Sequence, residues 1–390
     1  MTGAVASKRV RIESVDVVRG VIMIIMALDH VREFFSNPGF DPTDLARTNR
    51  ALFFTRWITH FCAPVFFLLT GTGAYLSLRK QSPAQLSRFL FTRGLWLIFL
   101  ELVVVRCLGW QFNFDYQLTL LIVLWALGWS MIVLSALVYL PAAWVTAFGA
   151  VLIAGHNLLD RIQSANPLWS VLHSPNMVWS DGHHFVFALY PLIPWVGVTA
   201  AGYGLAQIYM WTPERRQAFL LRLGLGMTAA FVVIRAINIY GDPFRWSAQK
   251  SAVFTMLSFL NTTKYPPSLL YLLMILGPAM LFLCVVDTKV PHWLRPALIF
   301  GKVPMFYYLL HVPLIHIIAV IFCYARNGQA HWMFESPSIE YFPFTRPPGW
   351  GYSLPVVYLL WIFVVVALYP LCKRFAALKQ RRSDAWLSYF

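Results

Sequence analysis

The run Gly20-Val21-Ile22-Met23-Ile24-Ile25-Met26-Ala27-Leu28 is apolar throughout, yet Asp16 and Arg19 precede it and Asp29, His30 and Arg32 follow at once. Read as a helix, eleven steps of about 100° return His30 nearly to the azimuth of Arg19, about 16 Å further along the axis. Asp16 lies one turn before Arg19 on the same stripe. A helix apolar enough for lipid, with a guanidinium at one end of a stripe and an imidazole at the other, is expensive to insert. Ionisable side chains at membrane depth mark functional sites by default. In the competing reading Arg19 snorkels to the inner headgroups and His30 caps the outer end.

The rest of the chain fits a membrane setting. It is 59% apolar and only 12% charged over 390 residues, which predicts an all-α polytopic membrane protein. Ten spans are expected, at 16–35, 53–78, 89–109, 118–140, 142–159, 185–208, 219–240, 266–286, 298–324 and 354–372. Pro141 separates the fourth from the fifth. The domain plan is a tail (1–15), one transmembrane domain (16–372) and a basic tail (373–390). Lys8-Arg9-Val10-Arg11 before an apolar run has the look of a signal-peptide start, but the charges that interrupt the run make it an uncleaved first helix.

An even number of spans puts both termini on one side, and 19 of the 31 Lys and Arg fall there. That excess favours cytoplasmic termini, and the plasma membrane is the expected location. The net charge of +15 comes from basic residues spread over helix ends, which suits anionic lipid headgroups rather than nucleic acid. Five cysteines, each in or beside an apolar run, form neither a disulfide framework nor a CxxC metal pattern.

Arg19, Arg93 and Lys302 collect near the cytoplasmic mouth in this orientation, as candidates for an anionic donor's phosphates. His30, His60, His183, His184 and His316 fall toward the outer half. Pro64 follows His60 by one turn and can open a cavity there; Gly71 and Gly73 permit close helix approach. Arg93 and Glu101 lie about two turns apart, a spacing that lets them share a partner such as Arg19 or His30. The loop from Asp160 to His184, with Trp179-Ser180-Asp181-Gly182-His183-His184, offers aromatic and polar groups for an acceptor or an interfacial belt. Lys264 in Lys264-Tyr265-Pro266-Pro267 and His311 are further acceptor-side candidates. His311 and His316 are five apart and cannot share a helix face, so no metal site is expected from them. The chain has no P-loop, GxSxG elbow or HExxH.

Arg19-x10-His30 resembles the hallmark of the acyltransferase-3 branch of the transmembrane acyltransferases, and Phe66-Phe67-Leu68-Leu69-Thr70-Gly71 is similar to the motif that follows it there. The fuller resemblance is to bacterial heparan-alpha-glucosaminide N-acetyltransferase catalytic-domain-like proteins. Asp16-Val17-Val18-Arg19-Gly20, Asp29-His30-Val31-Arg32-Glu33-Phe34-Phe35, Ala63-Pro64-Val65-Phe66-Phe67, Arg93-Gly94-Leu95-Trp96, Tyr190-Pro191-Leu192-Ile193-Pro194-Trp195 and Lys264-Tyr265-Pro266-Pro267-Ser268 carry it, with Pro304 to His316. The resemblance implies transfer of an acyl group, acetyl from acetyl-CoA, across the membrane to a hydroxyl or amine of a glycan or similar small-molecule acceptor. At His30 the chain follows acyltransferase-3; the eukaryotic lysosomal enzyme is similar to Asn there.

His30 is then expected as base or nucleophile, with Asp29 or Glu101 orienting it and His60 as the second candidate. Membrane lipids are expected partners, and self-association stays open. A transporter or flippase using the same polar cavity is the alternative.

Overall fold

The computed structural model describes residues 12–78, 81–382 and 384–389. Most of the expected N-terminal tail, and the Arg79-Lys80 pair, lie outside them. The described chain is mostly helical. In order the helices are α1 (Glu13–Phe35), α2 (Arg50–Trp57), α3 (Cys62–Leu78), α4 (Pro83–Phe99), α5 (Val123–Leu137), α6 (Ala142–Gly155) and α7 (Pro167–Leu172). They continue with α8 (Leu192–Leu205), α9 (Pro213–Ile237), α10 (Ala252–Leu260), α11 (Leu269–Val286), α12 (Arg295–Lys302), α13 (Pro304–Asn327) and α14 (Leu354–Arg381).

Local chemistry sets many of the boundaries. Ser82 and Gln85 close a capping box before Pro83 at the head of α4. Ser268 caps α11 by accepting from the Tyr271 amide at 3.0 Å. A tight turn at Ile58–Phe61, ahead of Pro64, joins α2 to α3. Leu100–Trp110 continues α4 as a π-helix, a winding that is rare in long runs and often found at functional sites.

Three of the ten expected spans are corrected. Those at 118–140 and 185–208 open as strands β1 (Leu118–Leu121) and β3 (Phe185–Ala188), which pair in parallel. Strand β2 (Asn176–Ser180) adds to β3 antiparallel, through a turn in which Gly182 takes φ +91. The protein is therefore not all-α: a small three-stranded sheet sits among the helices. The segment 298–324 is broken at Val303, where φ is −137 and ψ 50. Pro304 lacks an amide hydrogen and disfavours helical geometry in the residue before it.

Six helical segments are long and apolar enough to cross a membrane: Arg50–Leu78, Ala142–Leu159, α9, α11, α13 and α14. Helix α1 is too charged to count among them and is instead a central element. Val17, Ala27, Val31 and Phe34 on it are fully buried, and it packs against α3, α11, α12, α13 and α14. Helix α14 lies at the periphery, with Leu359, Phe363 and Val366 exposed as a lipid-facing surface requires.

Glycines set how close these helices come. A Cβ on Gly20 would lie 1.8 Å from the Ala297 carbonyl oxygen, and one on Gly301 1.8 Å from that of Asp16. Helices α1 and α12 thus touch backbone to backbone at Arg19. Gly71 does the same for α3 against Thr199 of α8, whereas Gly73 meets nothing within 4 Å and lines a cavity instead.

Candidate active site

Two cavities flank α1. The first, of about 360 Å³, has Arg19, Arg93, Lys302 and Lys379 on walls otherwise made largely of Met, Leu and Phe side chains. No carboxylate lines it among the described residues. Arg19 pairs with Asp16 at 3.2 Å and donates to the Gly301 carbonyl at 3.3 Å, which ties it to the α1–α12 contact.

The second cavity, of about 920 Å³, lies at the other end of α1. It is lined by Asp29, His30, Arg32, Glu33, Arg56 and Lys264, with Trp110, Tyr190, Tyr265 and Tyr308 among its aromatics. Four of its charged side chains pair with one another. Asp29 accepts from Arg56 at 2.8 and 2.9 Å and from Arg32 at 3.0 Å, and Arg32 also holds Glu33 at 3.0 Å. Lys264 stands over the Tyr265 ring at 5.1 Å. Burial alone would raise the Tyr265 phenol, but Lys264 and Arg56 beside it bring it below its ordinary value. Tyr308 and Val123 line both cavities.

The centre of this arrangement is a histidine pair. His30 Nδ1 lies 2.7 Å from His311 Nε2, and the two rings stack at 4.9 Å. His311 Nδ1 faces the carbonyls of Tyr307 and Tyr308 at 3.1 and 2.8 Å. Carbonyl oxygens only accept, so a neutral His311 carries its proton on Nδ1 and presents a lone pair at Nε2. His30 must then donate from Nδ1, which leaves its own Nε2 unprotonated. Trp110 packs edge-on against the His30 ring at 4.8 Å. The Tyr308 hydroxyl and the Trp110 indole nitrogen are buried beside the pair and face each other, neither in a hydrogen bond of normal geometry.

The structure brings some of the expected site residues together and separates others. Arg19, Arg93 and Lys302 share the first cavity; Asp29, His30 and Lys264 share the second, with His311 behind His30. His30 Nδ1 faces His311 rather than either carboxylate expected to orient it. Asp29 is committed to two arginines, and Glu101 is buried with its Oε2 accepting from the Leu124 amide at 2.7 Å, at the head of α5.

His60 is buried and lines neither cavity. Its carbonyl accepts from the Tyr271 hydroxyl at 2.8 Å, and its Nδ1 has no partner. His183 and His184 lie at the exposed β2–β3 turn, where Asp181 accepts from both backbone amides and from the His184 ring. Those three bonds hold the Asp181 carboxyl well below the usual carboxylate range. Neither histidine lines either of the two cavities. His316 sits between the carbonyls of Gly109 and Met333 at 2.9 and 2.7 Å. Sequence reasoning missed Tyr308, Trp110 and Lys379. Their only signal was that Tyr308 sits one helical turn before His311.

No curated protein sequence matches the chain. A family model described as heparan-alpha-glucosaminide N-acetyltransferase, catalytic, matches residues 11–240. That stretch is more than half of the chain and carries Arg19, Asp29, His30, His60, Arg93 and Glu101, while Lys264, Lys302, Tyr308 and His311 lie beyond it. The chain belongs to the heparan-alpha-glucosaminide N-acetyltransferase catalytic-domain family, a family of membrane-bound acetyltransferases.

Proposed function

We propose that the protein moves an acetyl group from acetyl-CoA, presented at the basic cavity, to a hydroxyl or amine of an envelope glycan or similar acceptor in the wider cavity. The observation that carries this reading is the His30–His311 hydrogen bond at 2.7 Å, placed where two cavities share the Tyr308 wall. With both termini cytoplasmic, the basic cavity opens toward the cytoplasm. There Arg19, Arg93, Lys302 and Lys379 meet the donor's phosphates, and the Met- and Leu-lined passage takes the uncharged thioester arm.

In the reaction the acceptor's oxygen or nitrogen attacks the thioester carbonyl. His30 Nε2 takes the proton of the attacking group, and His311 Nε2 accepts from His30 Nδ1 throughout, which steadies the imidazolium that forms. As the tetrahedral intermediate collapses, the C–S bond breaks. The thiolate leaves and recovers the proton from His30. The Tyr308 hydroxyl, on the wall the two cavities share, is the donor for the developing oxyanion. The paired charges of Asp29, Arg32, Glu33 and Arg56, with Lys264, give the acceptor a polar rim. Membership in an acetyltransferase family weighs against a carrier that uses these cavities without acyl chemistry.

The test is release of free thiol from acetyl-CoA by purified protein, with extracts of envelope glycans as acceptors. Acceptor-dependent release that disappears in His30→Ala is expected. Release that survives in His30→Ala and disappears in His60→Ala would overturn the assignment of the base.

A further inference from the structure

Away from both cavities, where α6 runs out, three side chains converge with little else to bind. His156, Asp160 and His173 each place a ligand-capable atom within 4.8 Å of the others. His156 opens the 3-10 turn that follows α6, Asp160 caps that turn, and His173 caps α7. His173 Nε2 is 3.1 Å from Asp160 Oδ1. The two imidazoles are only 2% exposed.

Neither ring nitrogen of His156 makes a hydrogen bond of normal geometry, and His173 Nδ1 has no partner. A buried imidazole left this way loses the hydrogen bonds it made to water and gains none in exchange. Around the three lies a shell that orients them. Asn157 Nδ2 donates to Asp160 Oδ2 at 2.8 Å, Asn157 Oδ1 accepts from the Leu269 amide at 2.9 Å, and the Pro267 carbonyl faces the His156 ring. Outer partners of this type hold ligating histidines and carboxylates in place.

We propose that His156, Asp160 and His173 bind a zinc-class divalent ion. Two imidazoles and one carboxylate form a borderline donor set; calcium and magnesium want six or more oxygens, which this pocket lacks. Two neutral rings and one carboxylate carry one negative charge, which a dication more than offsets. Three protein ligands leave one tetrahedral position for water, on the side where Asp160 is 19% exposed. The ion would pin the end of α6 and the end of α7 to the Pro267–Leu269 segment. That segment directly follows Lys264 and Tyr265 of the acceptor cavity, so the site is a structural staple for one wall of it.

The experiment uses the full chain in detergent with a histidine-free tag, loaded with zinc, desalted and assayed for metal by mass spectrometry. The wild type should retain about one equivalent, and His156→Ala/His173→Ala should retain none. His183→Ala/His184→Ala should keep it. Asn157→Ala should bind roughly tenfold to a hundredfold more weakly, as outer-partner losses do. Equal zinc in the wild type and His156→Ala/His173→Ala, or loss of the ion from His183→Ala/His184→Ala, would overturn the site. If the double variant does not fold, cobalt added to the wild type decides the matter: the strong visible absorption of tetrahedral cobalt is expected, and its absence overturns the proposal.

Discussion

At its N-terminal end α1 meets a cavity whose ionisable lining is entirely basic among the described residues. At its C-terminal end the same helix meets a cavity in which Asp29, Arg32, Glu33 and Arg56 pair with one another. The first arrangement gathers cations on the cavity wall, with Arg19 also held by Asp16 at 3.2 Å, and so attracts a phosphate-bearing polyanion. The second is neutralised in advance and suits an uncharged, hydrogen-bonding molecule. The histidine pair belongs to the second end, one side chain from the first. What differs between the ends is the kind of ligand each can tolerate, and that difference can be broken one residue at a time.

The largest loss is expected from His30→Gln. It removes the lone pair at Nε2 and should lower kcat by about 10²–10⁴-fold, while the KM for acetyl-CoA stays within a few-fold. His311→Ala should follow with a smaller fall in kcat, because His30 loses the acceptor that fixes its tautomer. The KM for the donor is again unchanged. Steady-state kinetics that instead showed a raised donor KM for either variant would place the pair at the wrong end of α1.

Next come the donor-end variants. Arg93→Ala and Lys302→Ala should each raise the KM for acetyl-CoA about tenfold or more, the equivalent of one charge-assisted hydrogen bond of about 1.5–3 kcal/mol. Added salt should shrink the effect, and kcat should hold. Gly20→Ala acts on the same end through packing. Its Cβ would lie 1.8 Å from the Ala297 carbonyl, so α1 and α12 must separate. A stability loss of at least about 1–3 kcal/mol is expected in thermal melts, with a weaker donor affinity because Arg19 leaves Gly301.

Much of α1 was readable from its sequence, because helical periodicity fixes which residues share a stripe. What periodicity cannot supply is the neighbour. His311 lies 281 residues from His30, and no spacing rule joins them. Glu101 illustrates the same limit. Its spacing of two turns from Arg93 suggests a charge pair, but the carboxylate accepts from backbone amides at the start of α5. The strands at Leu118–Leu121 and Phe185–Ala188 read as parts of spans in the sequence, because short apolar runs look alike as buried strand or helix. His156 and Asp160 stood at i,i+4 in plain view; His173, thirteen residues on, completes the cluster only through the fold of the intervening loop.

The smallest effect separates a structural carboxylate from a chemical one. Glu101→Gln keeps an oxygen to accept from the Leu124 amide, so stability and kcat should both stay close to wild type. Glu101→Ala leaves that buried amide unpaired, and about 1–3 kcal/mol of stability should go with it. Its remaining folded fraction should turn over normally, because the carboxylate caps α5 and lines neither cavity. A Gln variant that melts like wild type yet loses activity as His30→Gln does would move Glu101 into the reaction and make both ends of α1 depend on the α4–α5 junction.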